Sequence, residues 1–259
     1  MEAGPQLLTR YFLDGNSMRT SLAKASPQLE ARIAGGLWLI VIAAGLSGFV
    51  IWSRLVVRGD AAATATNIMA SETLFRLGFT ADLVAGACYM GVTVILYQLL
   101  KPVSRTLSLL GAFCGLAGIT IGAVSAVHHL APVMLLGGGE YLTAFTASQV
   151  QAQALISLRL HGQGYTIGSM YFGFQCILIG FLIGRSAFLP RILGVLLAIG
   201  GSTYVISSFA TFLSPAVAAQ ISSYIVAAGL IGEGSLCLWL IVKGVNLRSW
   251  EEQAAARIA

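Results

Sequence analysis

Six long apolar runs constrain this chain more than any other feature. They cover residues 33–56, 73–100, 107–130, 165–184, 189–213 and 218–242. Each approaches or exceeds the roughly 20 residues a helix needs to cross the hydrocarbon of a bilayer. A strand reading fails on length and pattern, because the runs show no period-two alternation and barrel strands are only about ten residues long. Only 10% of the residues are charged, against roughly 25% in soluble domains, and mean hydropathy is +0.84. The pattern predicts an all-α, polytopic membrane bundle of six transmembrane helices over 31–246. A disordered tail is expected over 1–30 and a second tail over 247–259.

The net charge of +5 raises the question of nucleic acid. The basic residues, however, stand at the ends of apolar runs and not on one face, so nucleic acid is excluded as a partner and the lipid bilayer takes its place. Arg10, Arg19, Lys24, Arg32, Lys101, Arg105, Arg185, Arg191, Lys243, Arg248 and Arg257 fall on one side of the six runs. Arg54, Arg58, Arg159 and Arg76 fall on or near the other. The positive-inside rule then predicts cytoplasmic N and C termini in the inner membrane, in agreement with an even number of spans. The run after Arg32 is longer than the core of a cleavable signal, and Met18 is an alternative start.

Short external helices are expected in the first and third links. In the first, Asp60 is an N-cap candidate before an alanine-rich stretch. In the third, an interfacial helix is expected from Ser148, broken at Gly162, Gln163 and Gly164 before span four. The pairs Gly111/Gly115, Gly118/Gly122, Gly164/Gly168 and Gly180/Gly184 have the spacing that lets helix backbones approach in lipid. Cys88, Cys114, Cys176 and Cys237 are scattered one per apolar segment without a C-x-x-C pair, which excludes a zinc knuckle or redox motif. No metal and no cofactor are expected. His128 and His129 are adjacent and point to different sides of a helix, and no second-ligand spacing accompanies them. The glycines after His161 lack the preceding strand that a dinucleotide loop needs.

The candidate functional residues are the polar groups inside these runs. Glu72, in a first helical turn, suits the helix dipole and pairs at i+4 with Arg76, which can also reach the interface. Asp82 is about 28 Å from Lys101 and Glu233 about 15 Å from Lys243 along their helices. A charged side chain at such depth costs about 2.5–3.5 kcal/mol on insertion scales. Each acid therefore needs a partner on another span, a wet cavity or a proton. Gln175 lies at the depth of Glu233, and His161 is on the same side as Asp82. The expectation is an outer-facing polar pocket drawing on Glu72, Arg76, Asp82, His161, Gln175 and Glu233.

Taken together, "ARIAGGLWLI", "DAAATATNI", "SETLFRLGFTADL", "FLPRILGVLLAIGG" and "GEGSLCLWLIVKGVN" resemble the bacterial integral-membrane family known as domain of unknown function 4386, over residues 31–246. The resemblance implies a multi-span inner-membrane protein, with no activity, cofactor or catalytic residue attached. It also implies a histidine where this chain has Gln175. The openings of spans one and five, "ARIAGGLWLI" and "PRILGVLLAI", are alike, as in a parallel repeat of a two-helix unit.

Three function classes stay open at this point. The first is small-solute or proton-linked transport or binding through the polar pocket, with a homo-oligomer supplying further spans. The second is a non-catalytic membrane partner or regulatory subunit. The third is an intramembrane enzyme using Asp82, His161 and Glu233 for acid–base chemistry. It lacks a nucleophile elbow or any H-E-x-x-H motif.

Overall fold

The computed structural model describes residues 26–256, and the side chains of all of these except 222 and 223. Among the described residues eight α-helices follow one another: α1 (Pro27–Leu55), α2 (Ala61–Ala70), α3 (Glu72–Leu100), α4 (Arg105–Leu136), α5 (Ala147–Arg185), α6 (Arg191–Leu213), α7 (Pro215–Val242) and α8 (Leu247–Ala255). Among the described residues there is no strand. All six long helices, α1 and α3 to α7, contain stretches long and apolar enough to cross a membrane. The first 25 residues of the expected N-terminal tail lie outside the described residues. From Pro27 the chain is already helical, capped by Ser26, whose hydroxyl accepts from the Leu29 amide.

The spans pack in chain order, α3 on α4, α4 on α5, α5 on α6 and α6 on α7, while α1 contacts both α3 and α7 and closes the ring. Backbone approach at small residues sets these contacts. A Cβ on Gly118 would lie 3.0 Å from the Gly168 carbonyl, and one on Gly173 would lie 2.6 Å from that of Gly201. Gly180 and Gly194 face each other in the same manner. The main apolar core runs through the ring at Trp38, Tyr89, Leu96, Cys176, Leu197 and Leu236.

The two ends of the bundle are closed differently. At the end where α1 begins and α7 finishes, α8 folds back across the helices. The Trp250 indole donates to the Leu99 carbonyl at 2.9 Å, and the Gln253 side chain accepts from the Ala187 amide at 3.1 Å. The expected plain tail after residue 246 is thus a docked helix, started by Asn246, whose side chain accepts from the Ser249 amide. At the far end, α2 is the cap expected in the first link. Asp60 accepts from the Ala63 amide at 2.9 Å, and Gly59 turns the chain with φ +80°. Ile68 of α2 enters a second core with Leu55, Phe75, Val133 and Leu158.

The third link departs from expectation. The chain makes a short 3-10 turn at Glu140–Leu142 and then one continuous α5 of 39 residues, about 58 Å long. A capping box between Thr146 and Gln149 starts it. The helix does not break at Gly162, Gln163 and Gly164. In an apolar medium, freeing the backbone groups of a broken turn costs several kcal/mol each, whereas glycine in a helix costs only about 1 kcal/mol. Gly164 also has a packing task, since it seats α5 against Ser125 of α4.

Candidate functional site

Two polar clusters lie inside the ring, at different levels. The first forms toward the far end, where α3, α4 and α5 meet. Helical side chains tilt toward the helix N-terminus. Asp82, on α3, therefore leans toward the far end, and His129, on the opposite-running α4, leans back to meet it. Asp82 Oδ2 and His129 Nδ1 are 2.8 Å apart. His161 of α5 brings Nε2 to 3.9 Å from the same oxygen. His161 Nδ1 is 3.1 Å from the Ser125 carbonyl. A carbonyl only accepts, so Nδ1 carries the proton and, in the neutral ring, Nε2 presents its lone pair toward Asp82.

The histidines are enclosed by aromatic rings. Around His129 stand Phe75 at 4.9 Å and Phe79 at 5.9 Å between ring centres, both edge-on. Trp52 of α1 is 5.9 Å from His161, and the two imidazoles are 4.8 Å apart. Only 8% of the His129 and 12% of the His161 side chain is accessible, against 35% for Asp82. The carboxylate is thus the open side of the cluster. Next to it stands Gly48, where even a Cβ would remain 3.8 Å from Oδ1.

The second cluster is nearer the middle of the ring. Glu233 of α7 accepts from the Trp38 indole at 3.1 Å on one oxygen and from the Tyr204 hydroxyl at 2.5 Å on the other. Gln175 of α5 accepts from the Tyr89 hydroxyl at 2.7 Å and donates to Thr93 Oγ1 at 3.2 Å. Tyr89 stands edge-on to Trp38 at 6.2 Å, which joins the two networks. Gly115 leaves the space that the Gln175 amide fills.

The structure therefore sorts the six sequence candidates into three groups. Asp82 and His161 come together. Gln175 and Glu233 each belong to a hydrogen-bonded network apart from that cluster, the two joined by the contact of Tyr89 with Trp38. Glu72 and Arg76 form an i,i+4 pair at 2.7 Å with both side chains substantially exposed. Such a pair contributes little. The residue that sequence reasoning missed is His129. A usable signal existed: Gly111, Gly115, Gly118, Gly122 and Ser125 form one stripe at helical spacing, and His129 continues it whereas His128 does not.

Chemically, the first cluster is a carboxylate and two imidazoles from three different helices. Among the described residues, one ligand atom from each of Asp82, His129 and His161 can be chosen so that all lie within 4.8 Å of one another. With both rings neutral, the group carries one negative charge in an apolar surround, and it favours a cation or a proton.

Residues 33–244 match the family described as "Domain of unknown function (DUF4386)". A protein of Archaeoglobus fulgidus titled "Uncharacterized protein" is 30% identical over 158 residues, which cover 60% of this chain and 76% of that protein. No solved structure matches the chain. The chain is a multi-pass membrane protein and belongs to the DUF4386 family.

Proposed function

We propose that the protein binds a small cationic solute or proton at Asp82, His129 and His161 and couples that binding to transport. The site faces outward across the cytoplasmic membrane, with both termini inside. The observation that supports this reading is the convergence of two imidazole nitrogens on one carboxylate oxygen, at 2.8 and 3.9 Å, within membrane-crossing helices. An ionisable group at such a depth costs several kcal/mol unless it faces a partner or a wet cavity. Asp82 has such a partner in His129, at 2.8 Å. Glu233, with both oxygens occupied, serves as a packing anchor in this reading. The same occupancy argues against an enzyme that joins it with Asp82 and His161.

The test is reconstitution into proteoliposomes carrying an internal pH dye and a panel of monovalent and divalent cations outside. Solute-linked proton movement above that of empty vesicles, abolished in Asp82→Asn, supports the proposal. Identical traces for wild type, Asp82→Asn and empty vesicles across the panel defeat it.

A further inference from the structure

We infer that the cluster of Asp82, His129 and His161 is a binding site for a divalent first-row transition-metal ion, with zinc the reference case. The inference rests on the reading that this cluster is the solute site, and it names the class of solute.

The donor set comes first. Two imidazoles and one carboxylate suit borderline cations such as Zn²⁺ and Fe²⁺ far better than Ca²⁺ or Mg²⁺, which take oxygen ligands. Three protein ligands leave a fourth position for water or another exchangeable ligand, unlike a closed four-ligand structural site.

Geometry follows. Metal–ligand bonds of about 2.0–2.1 Å in a tetrahedron place ligand atoms about 3.3 Å apart. The two separations to the carboxylate oxygen, 2.8 Å and 3.9 Å, lie on either side of that value, and the three atoms lie within 4.8 Å of one another. Side-chain rotation that draws the widest pair in by up to about 1.5 Å brings the atoms to metal distance. The proton that His129 Nδ1 shares with Asp82 moves to Nε2 of the same ring, and Nδ1 is then free to ligate.

His161 is the decisive residue. The hydrogen bond between His129 and Asp82 would suffice to bury this carboxylate. A second imidazole is then superfluous, yet its Nδ1 is tied to the Ser125 carbonyl and its Nε2 is directed at the carboxylate from beyond hydrogen-bond reach. Fixing the remote ring nitrogen on a carbonyl is how proteins orient a metal-binding histidine. Trp52, Phe75 and Phe79 leave the imidazoles little freedom to turn away. Asp82, with 35% of its side chain accessible, is the side of the cluster at which a fourth ligand would enter.

The experiment is equilibrium dialysis of the purified full chain in detergent against Zn²⁺, with metal counted by mass spectrometry, and Co²⁺ absorption as a geometric readout. The expected result is one equivalent per chain and the visible bands of four-coordinate cobalt. In His161→Gln, which can keep the bond to Ser125, affinity falls at least tenfold, and likewise in Asp82→Asn. His128→Gln, one residue from a ligand, binds as wild type. Far-UV circular dichroism and gel filtration establish that each variant is folded. If His161→Gln does not fold, the cobalt spectrum of the wild type decides alone. Less than a tenth of an equivalent in wild type, six-coordinate cobalt bands, or equal binding by folded His161→Gln overturns the inference. Proton-linked flux without metal binding overturns it and leaves the proposed function standing. Metal binding without any flux upholds it and removes the transport reading.

Discussion

Alanine at Gly164 separates the packing argument from the site argument in one experiment. A Cβ there meets Ser125 Oγ, which can rotate away only by giving up its bond to the Ile121 carbonyl, and also Ser125 Cβ at 2.7 Å, which cannot move so. Ordinary contact begins at 3.4 Å, so α4 and α5 must part by about 0.7 Å at this level. The bond from His161 Nδ1 to the Ser125 carbonyl, now 3.1 Å, then lengthens to about 3.8 Å, past hydrogen-bond range. Overpacking costs about 1–3 kcal/mol and the lost bond about 1 kcal/mol, against a helix-propensity gain of about 1 kcal/mol. The net loss is about 1–3 kcal/mol. Gly162→Ala, two positions away with nothing within 4 Å of its added Cβ, keeps only the gain. Reversible unfolding in mixed detergent micelles, followed by tryptophan fluorescence, should therefore order the variants Gly162→Ala, wild type, Gly164→Ala, from most to least stable. Zinc affinity should fall in Gly164→Ala alone. Equal stabilities, or a Gly164→Ala variant that gains stability, would refute the close approach of α4 and α5 that positions His161.

Other consequences can be measured in the same micelles. Leu158 is fully buried under the α2 cap, and Leu158→Ala is expected to lose about 2–5 kcal/mol. Trp38→Phe and Tyr204→Phe each take one donor from buried Glu233, at about 1–3 kcal/mol apiece. Their double variant should cost less than the two losses added, because the two act on one carboxylate, and strict additivity would show that Glu233 is not their shared acceptor. In intact cells, a cysteine placed at Ser249 should resist membrane-impermeant maleimide while one at Ser148 reacts. The reverse labelling would invert the orientation expected from the basic residues.

Much of the architecture was legible because lipid imposes a coarse rule, that apolar length means a span. The cap at Asp60 and the pair of Glu72 with Arg76 were legible because both are local, at three and four residues' separation. The continuity of α5 was not, because glycines that interrupt helices in water are tolerated where a broken backbone has no solvent to bond. The docking of α8 was missed for a different reason. Its anchors, Trp250 on Leu99 and Gln253 on the amide of Ala187, lie far apart along the chain. The site was half legible. Depth along the helices brought Asp82 near His161, but the expected single pocket also joined Glu233 to Asp82, and the structure holds the two acids in separate clusters. The choice of His129 over His128 depended on which face of α4 the small-residue stripe turns inward, and the rotation of neighbouring helices decides that.

X-ray absorption at the zinc edge of the metal-loaded wild-type protein tests the central claim most directly, because it reports the ligands themselves. A shell of nitrogen and oxygen at about 2.0–2.1 Å containing two imidazoles is the expected result. An all-oxygen shell, or sulfur at about 2.3 Å drawn from the cysteines, would contradict the assignment of Asp82, His129 and His161 as one cation site.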